Sequence, residues 1–69
     1  MKYELPDWCV IGAKFRELPG KPNFPELWHV RGLVDGMAVC RAWQRHKQRW
    51  RYEVKDPIHF HVREIEVKS

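Results

Sequence analysis

From Val39 to Val54 the large side chains recur with a period of two, as Val39, Arg41 and Trp43 on one run and Trp50, Tyr52 and Val54 on the next. That is the period of a strand, not of a helix. Setting Trp43 opposite Trp50 brings Arg41 against Tyr52 and Val39 against Val54, and it centres the turn on His46-Lys47 with Arg45 and Gln48 beside it. The stretch 41–55 is therefore expected to be a β-hairpin. Upstream, Leu27 to Val34 reads as a strand that ends at Asp35-Gly36, a strong two-residue hairpin signal. With Val34 opposite Met37, Val30 falls against Arg41 and Trp28 against Trp43.

Together the two turns predict one apolar face made of Trp28, Val30, Val34, Met37, Val39, Trp43, Trp50, Tyr52 and Val54. The other face then carries His29, Arg31, Leu33, Ala38, Cys40, Ala42, Arg49, Arg51 and Glu53 and is expected to meet solvent. Arg41 alone breaks the pattern. It falls in the core row between Val30 and Tyr52, where it must snorkel out with its stem along the aromatics, compensated by a cation–ring contact with Tyr52 or Trp43.

Flanking segments complete the outline. Trp8 to Ala13 reads as a first strand running on toward Leu18, with Gly12 marking a bend or bulge. Pro19, Gly20, Pro22 and Pro25 make Leu18 to Glu26 a long loop, because residues without a ladder donor cannot hold a central strand. Asp56-Pro57 breaks the fourth strand, a turn or single 3₁₀ turn over Pro57 to His61 follows, and Arg63 to Val67 forms the last strand. No helix is expected.

The order of these pieces is five short strands, a long Pro-rich loop after the first, two tight hairpins and a brief turn before the last. It resembles an SH3-like small β-barrel from Trp8 to Val67, on strand order and turn placement. The resemblance implies an all-β, five-stranded antiparallel barrel forming one domain over residues 1–69, of a kind found as nucleic-acid or protein adaptors, often in bacterial and phage genomes. It assigns no functional residue.

Charge sharpens the functional reading. The chain of 69 residues carries 13 Lys and Arg against 9 Asp and Glu, a formal net charge of +4, and has a pI of about 9.4. Anionic partners are favoured. Six of those 13 cations, Arg41, Arg45, Lys47, Arg49, Arg51 and Lys55, lie in the hairpin, opposed only by Glu53. A phosphate backbone could rest on the basic face formed by His29, Arg31, Arg49 and Arg51 and be followed by Arg45 and Lys47 at the tip. The plainer account is a solvated face whose charges serve solubility. Tryptophans among arginines could also stack on unpaired bases, although the register expects Trp43 and Trp50 to be core.

Other chemistry is thinly supported. Cys9 and Cys40 are too far apart to form a CxxC pair, and His59 and His61, although on one side of a strand, need distant partners such as Cys9, Cys40 or His29 to complete a zinc site. No metal or cofactor is expected. Ser69 is the sole hydroxyl nucleophile of the Ser and Thr kind, and a chain this size offers little pocket, so binding is expected rather than catalysis. The segment MKYELPDW lacks a signal-peptide core and nothing approaches a membrane span of roughly 18 apolar residues, which points to a cytoplasmic protein with reduced thiols. The partners expected are DNA or RNA, or alternatively an acidic protein, such as the host target of a phage-type inhibitor, with self-association compatible with either.

Overall fold

A computed structural model describes residues 3–18 and 27–68. Its elements run β1 (Lys14–Leu18), β2 (Trp28–Val34), β3 (Met37–Gln44), β4 (Arg49–Lys55), α1 (Pro57–Val62) and β5 (Glu64–Lys68). All five strands join one antiparallel sheet in the order β4-β3-β2-β1-β5. The sheet is open, with β4 and β5 as its edges. The mostly-β, five-stranded antiparallel architecture is thus present, and no pairing among the described residues closes it into a barrel. The Pro-rich loop expected before Glu26 falls outside the described residues.

Both hairpins form where their turns predict. Asp35 and Gly36 have φ of 51° and 75°, the pair of left-handed residues that a tight hairpin turn with the sheet's own twist requires, and Val34 faces Met37. On the β3–β4 side, Val39 pairs with Val54, Arg41 with Tyr52 and Trp43 with Trp50, as expected. At the tip the Gln48 side-chain amide donates to the Arg45 carbonyl at 2.6 Å, while Gln48 itself turns left-handed at φ 52°.

Trp28 and Val30 are buried as expected, but on β3 and β4 the faces are reversed. Ala38, Cys40 and Ala42 are fully buried, whereas Trp43, Tyr52 and Val54 are 42%, 58% and 61% exposed. Two causes act together. In β2 the pairing jumps from Val30–Cys40 to Gly32–Val39, so Arg31 is an extra residue and the strand changes phase there. Trp28 consequently pairs with Ala42 rather than Trp43, and Val30 with Cys40 rather than Arg41. The second cause is volume. Bulky rings reach the inner face from outside the central hairpin: Trp8 from the N-terminal turns, Phe15 from β1 and Phe60 from α1, with centroids 5.4–5.6 Å apart. Small side chains on β3 are what leave room for those rings and for Trp28 at native packing density.

Three further departures follow from local chemistry. Residues 8–13 make turns, not a strand; Cys9 donates to the Pro6 carbonyl and Ala13 to the Val10 carbonyl, each at 2.9 Å. Gly12, at φ 97°, then lets its own N–H reach the Val30 carbonyl at 2.8 Å and lead the chain into β1. Pro57–Val62 is an α-helix of six residues rather than a 3₁₀ turn: Asp56 is its N-cap, Oδ1 accepting from the His59 N–H at 3.1 Å, with Pro57 in the first turn. It delivers Phe60 to the core.

The inner face also buries a cation. Lys55, its side chain 3% exposed, places Nζ 3.0 Å from Glu17, 3.2 Å from Glu53 and 4.1 Å from the centroid of Trp28. His59 Nε2 meets the same Glu17 carboxylate, tying α1 to β1. Burial works against the Glu17 charge, but the hydrogen bonds from His59 and Lys55 and their positive charge outweigh it and hold the carboxyl below the usual range. Both cysteines are free and buried, and desolvation pushes the Cys40 thiol up to about 11.

Candidate functional site

With the core on the side of Ala38, Cys40 and Ala42, the opposite side of the sheet is left open among the described residues. Pairing aligns Lys68, Lys14, His29, Arg41 and Tyr52 in a single row across β5, β1, β2, β3 and β4. At the usual strand spacing this row is about 20 Å long. The neighbouring cross-strand pair on β3 and β4 is Trp43–Trp50. Lys14, His29 and Arg41, with Lys68 held by Glu66 at one end of the row and Tyr52 at the other, therefore lie beside an aromatic pair.

Contacts within the face are specific. The Arg41 guanidinium sits 3.9 Å from the Trp50 ring centroid, and its Nη1 donates to the Tyr52 hydroxyl at 3.3 Å. Trp50 also meets Trp43 at 5.2 Å, with planes 70° apart, and His29 at 5.6 Å, edge to face. Half-buried Trp50 is the hub that orients three neighbours, while Trp43 and Tyr52 keep more of their rings in solvent.

The electrostatics of the row register on His29. Burial against Trp50 disfavours its protonated form first, and Lys14, Arg41 and Arg31 repel a further positive charge, so its pKa lies below the ordinary imidazole value. Burial is the larger cause, and the three cations add to it. Arg41 Nε makes no hydrogen bond among the described residues.

Of the six residues singled out from the sequence, the structure collects some and separates others. Arg45 and Lys47 are exposed at the hairpin tip, and Arg49 begins β4 directly beyond it. Arg31 is exposed on the β2 bulge. His29 lies on the open face, not beside Arg49 and Arg51 as the expected register had it. Arg51 turns to the inner side, where it reaches Glu53 at 2.5 Å and covers Trp28 at 5.0 Å from the centroid. The grouping of His29 with Arg49 and Arg51 on a single small-residue floor is thereby corrected, since Ala38, Cys40 and Ala42 form the core and no floor is open to a ligand.

Lys14 was not among the residues singled out, while Arg41, Trp43, Trp50 and Tyr52 were read as members of the core row, the tryptophans with base stacking as the alternative. Their signal was Arg41 itself, a cation in a row read as core, which fits without strain once that row faces solvent. No group of three or more His, Cys, Asp or Glu side chains that could hold a metal occurs among the described residues. No helix among them is long and apolar enough to cross a membrane. No protein-family model, curated protein or solved structure matches the chain.

Proposed function

We propose that this protein is a binding module rather than an enzyme, with an SH3-like arrangement of its strands, and that it binds nucleic acid through the open face and the basic hairpin tip. The observation that carries this reading is the cationic row beside exposed aromatic rings, Lys14, His29 and Arg41 alongside Trp43 and Tyr52. Arg31, Arg45, Lys47 and Arg49 extend the positive surface at its border, where they would contact phosphates. Arg51 contributes least, because Glu53 already engages it.

An acidic protein partner is the second reading, favoured by Val39 and Val54, a directly opposed apolar pair whose second member is exposed next to Tyr52 on the same face. Nucleic acid is preferred because Val54 occupies one corner while Lys14 and Arg41, with His29 between them, run across β1, β2 and β3.

The deciding experiment is anisotropy of a labelled oligonucleotide titrated with protein at low and physiological salt. Affinity should fall steeply with salt, the slope reporting the number of phosphates neutralised, and an Arg41→Glu, Arg45→Glu variant should lose it. Absence of binding at low salt would reject nucleic acid and make an acidic protein the partner to seek.

A further inference from the structure

Resting on the nucleic-acid reading, we infer that the ligand is a single strand, whose unpaired bases stack on Trp43 and Tyr52 while its phosphates follow Lys14, His29 and Arg41.

Duplex and single-stranded nucleic acids offer a protein different surfaces. In a duplex each base face is covered by its neighbour at about 3.4 Å, so a protein can reach only base edges in the grooves and the backbone. Aromatic ring faces on a sheet have nothing to stack on there. In a single strand the faces are free, and every base offers one.

The geometry matches that requirement. Trp43 and Tyr52 stand on adjacent strands in diagonal positions, since Tyr52 opposes Arg41 and Trp43 opposes Trp50. Diagonal neighbours lie about 7–8 Å apart at their backbones, about twice the stacking distance, which suits rings that take successive bases. Arg41 fixes both: it lies on Trp50, which abuts Trp43, and it donates to the Tyr52 hydroxyl. The platform is held before a ligand arrives, so little side-chain ordering is left to oppose binding.

A second copy of the chain is a poorer occupant. Self-pairing of the open faces would bring Lys14, Arg31 and Arg41 of two molecules together, and these charges already repel a proton from His29 within one. A polyanion relieves that repulsion.

The test compares labelled oligothymidine and oligouridine with a blunt DNA hairpin duplex at one low salt concentration, using wild type, Trp43→Ala, Trp43→Phe, Tyr52→Ala and Arg45→Glu, each checked for a native circular dichroism spectrum. The single strands should bind at least about tenfold tighter than the duplex and quench tryptophan fluorescence. Trp43→Ala and Tyr52→Ala should each lose about fivefold or more on the single strands and nothing on the duplex, with Trp43→Phe largely retained. The oligothymidine and oligouridine arms separate a DNA strand from an RNA strand. Equal or tighter duplex binding, untouched by the aromatic substitutions yet lost in Arg45→Glu, would overturn the single-strand inference and leave the phosphate-binding reading standing. No binding to any of the three probes would overturn both.

Discussion

Arg41 sits over Trp50, its guanidinium carbon 3.9 Å from the ring centroid, on the side of the sheet that faces solvent. A planar guanidinium can stack on the indole and still donate from its edge to the Tyr52 hydroxyl, which a point-charged ammonium cannot do equally well. Arg41→Lys is therefore expected to cost about 0.5–1 kcal/mol of stability, the scale of an exposed cation–ring contact, and Arg41→Ala somewhat more. Urea denaturation followed by tryptophan fluorescence measures this. A lysine variant as stable as wild type would show that the stacking contributes nothing.

Reversal of the faces makes an opposite-sign prediction for neighbours on β3 and β4. Ala42→Leu adds bulk where Trp28 and Phe15 already fill the space, and should destabilise by about 1–3 kcal/mol. Val54→Thr, on an exposed position of the other face, should stay within about 0.5 kcal/mol of wild type. Were Ala42→Leu neutral and Val54→Thr damaging in thermal melts, the core would lie on the wrong side of the sheet.

Lys55 is the most deeply buried charge among the described residues. Lys55→Ala strips Glu17 and Glu53 of a shared partner and should cost about 2–3 kcal/mol, less than breaking a fully buried pair, because both carboxylates retain some solvent. Glu17 supplies the pH dependence. Its folded pKa is depressed, so its contribution is present above the normal glutamate pKa and is lost as pH falls through the lower folded value. Glu17→Gln should be less stable than wild type at neutral pH and should flatten the acid limb of the stability curve, as chemical denaturation at stepped pH would reveal. An acid limb unaltered by the substitution would remove Glu17 from that account.

His29 titrates in the opposite setting, with Trp50 packed on it from β4, Lys14 facing it from β1, Arg41 from β3 and Arg31 from its own strand. Its free-state pKa is depressed; an anion on the row would raise it, so the complex takes up a proton in the window below the ordinary imidazole value. Affinity for an oligonucleotide should accordingly rise as pH drops from neutral toward mildly acidic, and His29→Gln should remove most of that rise. A pH profile identical in the two proteins would place the anion elsewhere.

Much of the fold was legible in the chain because turns and alternation are local. Asp35-Gly36 and the pairing of Trp43 with Trp50 each fixed a register from a few adjacent residues. The choice of buried face was not local. It depended on rings from Trp8, Phe15 and Phe60, which approach from three separate segments, and on a bulge at Arg31, whose local sign was Gly32 inside the strand. Size alone argued for burying Trp43 and Trp50 as well as Trp28, and for that pair it misled because the space above β3 was already spoken for. Asp56-Pro57 was visible but ambiguous, as the same dipeptide that ends a strand also caps and opens a helix. The candidate site inherited these errors: the tip residues Arg45 and Lys47 could be read directly, whereas the aromatic half of the platform could be recognised only once the faces were assigned.

The alternation along β3 has a consequence for how such a chain can change over time. Ala38, Cys40 and Ala42 answer to the volume of the interior, while Val39, Arg41 and Trp43 answer only to what touches the outside. Two sets of demands are interleaved in one strand without meeting in space. A lineage could therefore exchange the outward set for another chemistry, and so acquire a different partner, while the inward set keeps the same scaffold folded.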